Sequence, residues 1–213
     1  MKTILFQGDS ITDCGRLNTI SQLGDGYACF TAAHLALENP GEYTFYNRGI
    51  SGNRIRDLYA RIKEDLILLK PDYLSLLIGV NDIWHEYETK KGADPEKFEK
   101  VYNMILEEVK EALPDVKIMI FEPFCLRGRA SDNTEAFPNK WEVFSREVEN
   151  RIEKVRKVAA KHDILCISLQ DKFDEAVKTT GNTADWLYDG VHPTVMGHEL
   201  IKREWLKAFE SIK

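Results

Sequence analysis

Five short apolar runs alternate along the chain with longer segments of mixed polarity. None of the runs shows a clean two-residue alternation of apolar and polar side chains, a pattern typical of strands buried on both faces of a sheet. The sequence therefore predicts five strands in an open parallel sheet, over residues 3–6, 43–46, 73–78, 116–121 and 164–169.

The intervening segments predict helices. They cover residues 27–37, 54–69, 95–113, 142–162 and 172–178, and a last helix starts after Pro193. Residues 54–69 carry apolar side chains at spacings of three and four and end ahead of Pro71, which predicts one continuous amphipathic helix. Because strands and helices alternate throughout, we predict the α/β class with a three-layer α/β/α sandwich.

Residues 122–140 form the longest stretch without a helical or strand pattern, and they include two prolines and a glycine. Long loops in compact domains are often functional. We therefore expect this loop to shape a substrate pocket.

Composition and charge narrow the functional classes. The chain has 213 residues, of which 43% are hydrophobic and 30% charged, and a formal net charge of -6 at pH 7. This length suits one well-buried core, so a single domain over residues 1–213 is predicted. The acidic balance and the lack of Lys/Arg-rich runs argue against nucleic acid or an anionic membrane as a partner.

The N-terminal residues and the cysteines favour a cytoplasmic location. The chain reaches Gln7, Gly8 and Asp9 before the apolar core of a signal peptide can develop. No stretch approaches transmembrane length. The cysteines form no Cys-x-x-Cys pair and are expected as reduced thiols; they are Cys14, Cys29, Cys125 and Cys166.

Gly8-Asp9-Ser10 follows directly on the first predicted strand. A glycine two residues before a serine permits a tight turn and close approach of a substrate, which makes Ser10 a candidate nucleophile. All three residue types also favour ordinary turns and helix caps. Taken alone, the motif therefore fits a structural turn better than a catalytic site.

Two further polar segments, residues 47–53 and 79–82, also follow strand ends. In an open parallel sheet the carboxyl ends of the strands share one edge, where ligand sites form. The backbone N–H groups of Ser10 and Gly52 and the side-chain amide of Asn81 are therefore candidate donors to the oxyanion of a tetrahedral intermediate. Separately, each segment also fits a simple turn.

His192 is the best placed of the five histidines to activate a serine. Asp189, three residues earlier across a glycine-containing turn, can accept the ring N–H of His192 and so fix its tautomer. Pro193 disfavours helical geometry at His192 and holds it on a loop. We expect activity to fall in acid around the ordinary histidine pKa of about 6.5. The alternative is a plain turn leading into the last helix.

Together these segments resemble the SGNH hydrolases of the GDSL esterase/lipase class. The four family motifs occur in order over residues 8–10, 49–52, 79–82 and 189–192. The resemblance implies a flavodoxin-like five-stranded parallel sheet. It also implies Ser10 as nucleophile, His192 as base, Asp189 as its orienting partner, and oxyanion donors on Ser10, Gly52 and Asn81.

Within that class the motif regions look most like intracellular carbohydrate acetylesterases, particularly acetylxylan esterases. This finer resemblance implies a serine esterase acting on short acyl esters of a small carbohydrate, in the cytoplasm, in a chain that forms a homo-oligomer. Trp84 and Tyr188 flank the candidate catalytic positions. They suit a wall facing a sugar or an acetyl group, or are ordinary semi-buried aromatics.

Other functions remain as alternatives. The segments that begin at His85 and His198 start like a zincin motif but lack the second histidine, so no metal is expected. Neither a Walker lysine nor a Gly-x-Gly-x-x-Gly turn is present, and no cofactor is expected. A lysophospholipase or thioesterase would use the same catalytic parts, and a non-catalytic flavodoxin-like module would bind a small ligand in the same crevice.

Overall fold

Five parallel strands form one sheet in the computed structural model, which describes residues 1–213. The strands are β1 (Lys2–Gly8), β2 (Tyr43–Asn47), β3 (Tyr73–Leu77), β4 (Lys117–Phe121) and β5 (Leu165–Ile167). Their order across the sheet is β2-β1-β3-β4-β5, which is the flavodoxin-like order. Each predicted strand is confirmed, although β5, at the edge, is shorter than predicted.

Strand β1 shows why its sequence lacks an apolar–polar alternation. Ile4 and Phe6 pack into the apolar cluster on one face of the sheet, whereas Leu5 packs into the cluster on the other. All three side chains are fully buried. A strand covered on both faces needs an apolar residue at every position, so the run is continuous.

Helices cover both faces of the sheet, which confirms the three-layer sandwich. They are α1 (Ser10–Asp13), α2 (Tyr27–Glu38), α3 (Ile55–Ala60), α4 (Ile62–Asp65), α5 (Val80–Thr89), α6 (Pro95–Ala112), α7 (Lys140–His162), α8 (Gln170–Thr180) and α9 (Val195–Ile212). Helices α2 and α9 pack together on one face, and α6 packs against α3 and α7 on the other. None of the helices is both long enough and apolar enough to cross a membrane.

The prediction of one continuous helix over residues 54–69 is wrong. The segment breaks into α3, α4 and a short 3-10 turn, with non-helical backbone at Arg61 and Leu66. The carbonyl of Asp65 accepts a hydrogen bond from the Gln7 side chain at 3.3 Å, and the N–H of Leu69 turns to Leu66 instead. A tertiary contact thus overrides the helical periodicity. The apolar positions spaced three and four apart are buried except Leu69, which is half-buried.

Helix α5 was not predicted. It begins after Gly79, which offers no capping side chain, and it ends at Lys90 in the left-handed conformation that glycine usually supplies. Both boundary signals that mark a helix in sequence are therefore missing. The helix nevertheless determines where Asn81 and the residues after it point.

Residues 122–139, between β4 and α7, contain no helix or strand, as predicted. We refer to them as the β4–α7 loop. The loop carries several buried side chains, among them Phe124 and Ser131, which are fully buried. It is therefore a packed part of the structure.

Candidate active site

Ser10 lies where β1 ends and α1 begins. Asp9 caps the helix, since its side chain accepts a hydrogen bond from the N–H of Ile11 at 3.0 Å. A Cβ on Gly8 would collide with the carbonyl oxygen of Leu77, so only glycine fits at the end of the strand. The tight turn leaves the Ser10 hydroxyl at the carboxyl edge of the sheet, and the Ser10 N–H has no acceptor within the chain.

His192 reaches Ser10 from the other end of the chain. Its Nε2 lies 3.0 Å from the Ser10 Oγ, and its Nδ1 lies 2.8 Å from the Asp189 Oδ2. The Oδ1 of Asp189 accepts the backbone N–H groups of Val191 and His192 at 2.9 and 2.8 Å. Because Nδ1–H donates to the carboxylate, Nε2 is free to accept the Ser10 proton.

The electrostatics of this pair suit a carboxylate beside a base. Burial alone would raise the pKa of Asp189, but hydrogen bonds from His192 and from the Val191 N–H outweigh it and hold the pKa at about 2. The hydrogen bond to Asp189 raises the pKa of His192 above its ordinary value, against the opposing effect of burial. The loss of activity in acid is therefore expected at a higher pH than the sequence alone predicts.

The three candidate oxyanion donors line one cleft of about 450 Å³ beside Ser10. The N–H of Gly52 has no acceptor within the chain. The side-chain amide of Asn81 donates one N–H to the Asn53 carbonyl at 3.1 Å, and an amide NH₂ has a second hydrogen to offer. Convergence of these segments follows from their positions at strand ends, while their catalytic roles stay predictions.

Residues 48–54, between β2 and α3, form a loop that we call the Gly52 loop. A carboxylate that the sequence did not single out holds this loop to the helix that begins with Ser10. Asp13, in α1, accepts the backbone N–H of Ser51 at 3.0 Å and the Ser51 hydroxyl at 2.9 Å. The residue directly before Gly52 is thereby tied to the helix of the candidate nucleophile. Nothing in the local sequence shows which loop Asp13 would meet.

A second carboxylate ties the far end of the same loop to α5. Asp82, the neighbour of Asn81, is fully buried and accepts the N–H of Ile55 at 2.9 Å. Its Oδ1 is buried without a hydrogen-bond partner. Burial raises the pKa of Asp82 to about 7, although the Ile55 N–H and the charge of Arg151 favour the ionised form.

The β4–α7 loop supports the turn that carries Asp189 from behind. Leu126 N–H donates to the Gly190 carbonyl at 2.9 Å, and Ala130 N–H donates to the Asp189 carbonyl at 2.7 Å. A Cβ on Gly128 would lie 2.6 Å from the Gly190 nitrogen, so the two backbones touch. No residue of the loop lines the cleft. Contrary to expectation, the loop braces the site and does not form its wall.

Trp84 and Tyr188 both line the cleft, and both lie close to His192. Their ring centroids lie 6.5 and 5.7 Å from that of the imidazole, and the Tyr188 ring is stacked on it. Tyr188 is 58% exposed. Trp84 is half-buried, packs edge-on against Phe144, and carries the Lys140 ammonium over its ring. Tyr188 is therefore the open aromatic surface, and Trp84 is part of the wall.

Cys14 and His198 form a pair at the edge of the cleft. His198 Nδ1 accepts the N–H of Tyr27 at 3.1 Å, which leaves the ring proton on Nε2, 3.4 Å from the Cys14 Sγ. Burial lowers the pKa of His198 to about 4 and raises that of the Cys14 thiol. The imidazole is therefore neutral and links α9 to the start of α2. No group of three or more His, Cys, Asp or Glu side chains is arranged as a metal site.

The chain matches the model of the GDSL-like lipase/acylhydrolase family over residues 6–200. It is also 34% identical over 212 residues to an acetylxylan esterase from Geobacillus stearothermophilus. That alignment covers 96% of this chain and 92% of the relative. The motif-based resemblance is thus confirmed over nearly the whole chain.

Solved structures agree with the sequence matches. A protein from Parabacteroides merdae described as a GDSL-like lipase has a TM-score of 0.87 and 37% identity, over 98% of this chain and 95% of its own. The Geobacillus stearothermophilus acetylxylan esterase has a TM-score of 0.83 and 32% identity, over 97% and 93%. In catalytic mutants of that enzyme a serine, an aspartate or a histidine is replaced by alanine. The chain belongs to the GDSL-like lipase/acylhydrolase family and is a carboxylic ester hydrolase.

Proposed function

We propose that this esterase removes acetyl groups from sugar hydroxyls, most of all on short xylose-based oligosaccharides. Ser10 is the nucleophile, His192 the general base and Asp189 the group that orients it. The observation that carries the proposal is the continuous hydrogen-bond chain from Ser10 Oγ through His192 to Asp189, with distances of 3.0 and 2.8 Å, beside an open cleft.

The first half of the reaction acetylates Ser10. Its Oγ bonds to the ester carbonyl carbon while His192 Nε2 takes the hydroxyl proton. The N–H groups of Ser10 and Gly52 and the amide of Asn81 donate to the oxyanion. The imidazolium then gives its proton to the sugar oxygen as the carbon–oxygen bond breaks, and acetyl-Ser10 remains.

The second half regenerates the enzyme. Water attacks the acetyl carbonyl carbon while His192 takes one of its protons. Collapse of the tetrahedral intermediate breaks the bond to Ser10 Oγ, which recovers its proton from His192, and acetate leaves. The hydrogen bond to Asp189 favours the imidazolium in both halves, consistent with the raised pKa of His192.

Two observations support the acetyl and carbohydrate assignment. Relatives that cover nearly the whole chain include an acetylxylan esterase, whose catalytic mutants change the same three residue types proposed here. In this chain the cleft also presents the exposed ring of Tyr188. An aromatic face beside polar groups is suited to a pyranose ring.

A chain-length series of esters tests the acyl preference. Each methylene buried in a long acyl groove is worth about 0.8 kcal/mol, so a lipase gains from acetate toward octanoate. For this enzyme kcat/KM should fall beyond acetate or propionate, and acetylated xylo-oligosaccharides should release acetate. A preference for octanoyl esters or lysophospholipids would instead support the lysophospholipase or thioesterase alternative.

Labelling with a fluorophosphonate distinguishes a serine esterase from a non-catalytic binding module. The reagent requires an activated serine, so it should modify wild-type protein at Ser10 and leave Ser10→Ala unlabelled. A folded wild-type protein that resists the reagent would contradict the proposed role of Ser10.

We also propose a cytoplasmic location and a homo-oligomeric state. All four cysteines are unpaired, which suits a reducing compartment. The oligomer is expected from the similarity to intracellular acetylesterases. Light scattering should show a mass above the 24.5 kDa of one chain, and a purely monomeric species would contradict the expectation.

A further inference from the structure

Helix α5 presents one stripe of side chains to the cleft. Asn81, Trp84, His85 and Glu88 all line it, and their spacing of three, four and seven residues places them on one helical face. The stripe starts with a candidate oxyanion donor and leads away from it toward the mouth. On the proposed mechanism it therefore starts beside the ester carbonyl and ends at the exposed Glu88.

The opposite face of the same helix has a different environment. Ile83, Glu86 and Tyr87 line a separate cavity with residues of α6 and α7, including Arg151. Glu86 and Glu88 are thus the same residue type on one helix, two positions apart, and only Glu88 lines the catalytic cleft. Substitution of Glu86 can therefore serve as a control for substitution of Glu88.

His85 and Glu88 have no partner within the chain. Neither side chain takes part in a hydrogen bond or a salt bridge, although Glu99 of α6 pairs with Lys154 and Lys157 of the adjacent α7. Glu88 is exposed and His85 is half-buried. Their hydrogen-bonding capacity is therefore available to a ligand in the cleft.

We propose that Glu88 and His85 form the subsite for the alcohol part of the ester and bind free hydroxyl groups of a neutral sugar. The inference rests on the proposed function and deepens it. A carboxylate has two acceptor oxygens that can take hydrogen bonds from neighbouring hydroxyls, and a neutral imidazole offers one donor and one acceptor. Bonds from hydroxyls to a charged acceptor are stronger than neutral ones.

The charge of Glu88 also selects against other alcohols. An anionic leaving group, such as a phosphate-bearing one, would meet a carboxylate at the mouth of the cleft. Arg54, which could have offset that charge near the Gly52 loop, is engaged by Asp57 at 2.6 Å. The Lys140 ammonium lies over the Trp84 ring, 5.7 Å from its centroid. Glu88 itself therefore favours an uncharged sugar with a free hydroxyl beside the acetylated one.

The test compares two acetate esters that form the same acetyl-Ser10. One is a mono-O-acetylated methyl xyloside with free neighbouring hydroxyls; the other is 4-nitrophenyl acetate, whose leaving group has no hydroxyls. The measured quantity is the ratio of kcat/KM for the sugar ester to kcat/KM for the phenyl ester. In Glu88→Ala this ratio should fall about tenfold, chiefly through KM for the sugar. Glu86→Ala is the matched control and should keep the wild-type ratio.

Further variants separate binding from a structural effect. His85→Ala should lower the ratio in the same direction, and Glu88→Gln, which keeps the size of the side chain, should lower it less than Glu88→Ala. Equal losses on both substrates, or an unchanged ratio in Glu88→Ala, would overturn the subsite. If wild-type enzyme hydrolyses 4-nitrophenyl acetate but no sugar acetate, the carbohydrate assignment itself fails, and the subsite with it.

Discussion

On one side of Ser10, the candidate base and its carboxylate come from a single turn of chain, residues 188–193. On the other side, the candidate oxyanion donors come from segments that are far apart in sequence, at Ser10, Gly52 and Asn81. The turn orients His192 through bonds within itself, because Asp189 accepts both the ring and the backbone N–H. The candidate oxyanion donors come together only through tertiary contacts, in which Asp13 of α1 binds Ser51 and Asp82 of α5 binds Ile55.

The carboxylates on the two sides differ accordingly. Asp189 receives three hydrogen bonds and keeps a pKa of about 2. Asp82 receives one, leaves an oxygen unpartnered, and has its pKa raised to about 7 by burial. Hydrogen bonds decide the charge state of a buried acid. Asp189 is therefore ionised over the whole range in which His192 titrates, whereas Asp82 is not.

Removal of the nucleophile should give the largest effect on the proposed reaction. Ser10→Ala deletes the attacking oxygen, so kcat on 4-nitrophenyl acetate should fall by on the order of 10⁴-fold or more. His192→Ala should behave similarly. Circular dichroism should stay unchanged, because the Ser10 side chain adds little packing. Wild-type turnover by folded Ser10→Ala would be incompatible with the mechanism.

Asp189→Asn tests whether the turn over residues 188–193 orients His192 by itself. Turnover should fall by roughly 10³ to 10⁴ if the tautomer of His192 depends on this carboxylate. The bond to Asp189 is the main cause of the raised His192 pKa, and only neutral His192 can act as base. In wild-type enzyme kcat should therefore fall as pH drops through a pKa above 6.5.

The residual activity of Asp189→Asn sharpens this test. Without the carboxylate charge the pKa of His192 drops, so the acid limb of the pH–rate profile should move to lower pH. The measurement is kcat against pH for both proteins. An acid limb that stays in place or moves upward would show that Asp189 does not control His192.

Asn81→Ala tests the candidate oxyanion donors. It should lower kcat less than Asp189→Asn does. Loss of one oxyanion donor should lower kcat by roughly 10² to 10³, with a much smaller change in KM, because the bond forms mainly in the transition state. Steady-state kinetics on 4-nitrophenyl acetate would show the split. An effect confined to KM would assign Asn81 to ground-state binding.

Asp82→Asn should have the smallest effect of these substitutions. The quantity it changes is the free energy of unfolding. The pKa of Asp82 is about 7 in the folded protein against 3.8 for the ordinary group. The unfolded chain therefore loses this proton first as pH rises, and folding becomes less favourable between about pH 4 and 7. The neutral amide does not titrate and can still accept the Ile55 N–H.

Denaturant unfolding of both proteins at several pH values measures the effect. The free energy of unfolding of Asp82→Asn relative to wild type should increase by about 3 kcal/mol between about pH 5 and pH 8. A difference that is constant with pH would show that Asp82 does not titrate in this range. A decrease would mean that the buried carboxylate is stabilised by its surroundings.

The strands and the candidate nucleophile, base and orienting carboxylate could be predicted from local sequence. A strand buried on both faces must be apolar at successive positions, as in Ile4, Leu5 and Phe6. The triad candidates lie in turns at strand or helix ends, where glycine permits a tight turn and proline fixes the backbone angle. Such signals come from neighbouring residues and need no knowledge of the remaining fold.

Other features depended on partners far along the chain. The helix predicted over residues 54–69 is broken where Gln7 takes the Asp65 carbonyl. Helix α5 lacks both of its usual boundary signals, so the shared face of Asn81, His85 and Glu88 could not be recognised. The long loop was expected in the pocket wall but lies behind Asp189.

The sequence by itself thus determined the α/β class, the order of the strand-end motifs and the identities of Ser10, Asp189 and His192 as candidates. Only the tertiary structure decided which carboxylates hold the Gly52 loop, which loop braces the His192 turn, and which face of α5 lines the cleft. Secondary structure and turns follow from short-range sterics and from the spacing of apolar residues. The partner of a buried carboxylate depends on which distant backbone packs against it, and this is decided only when the layers assemble.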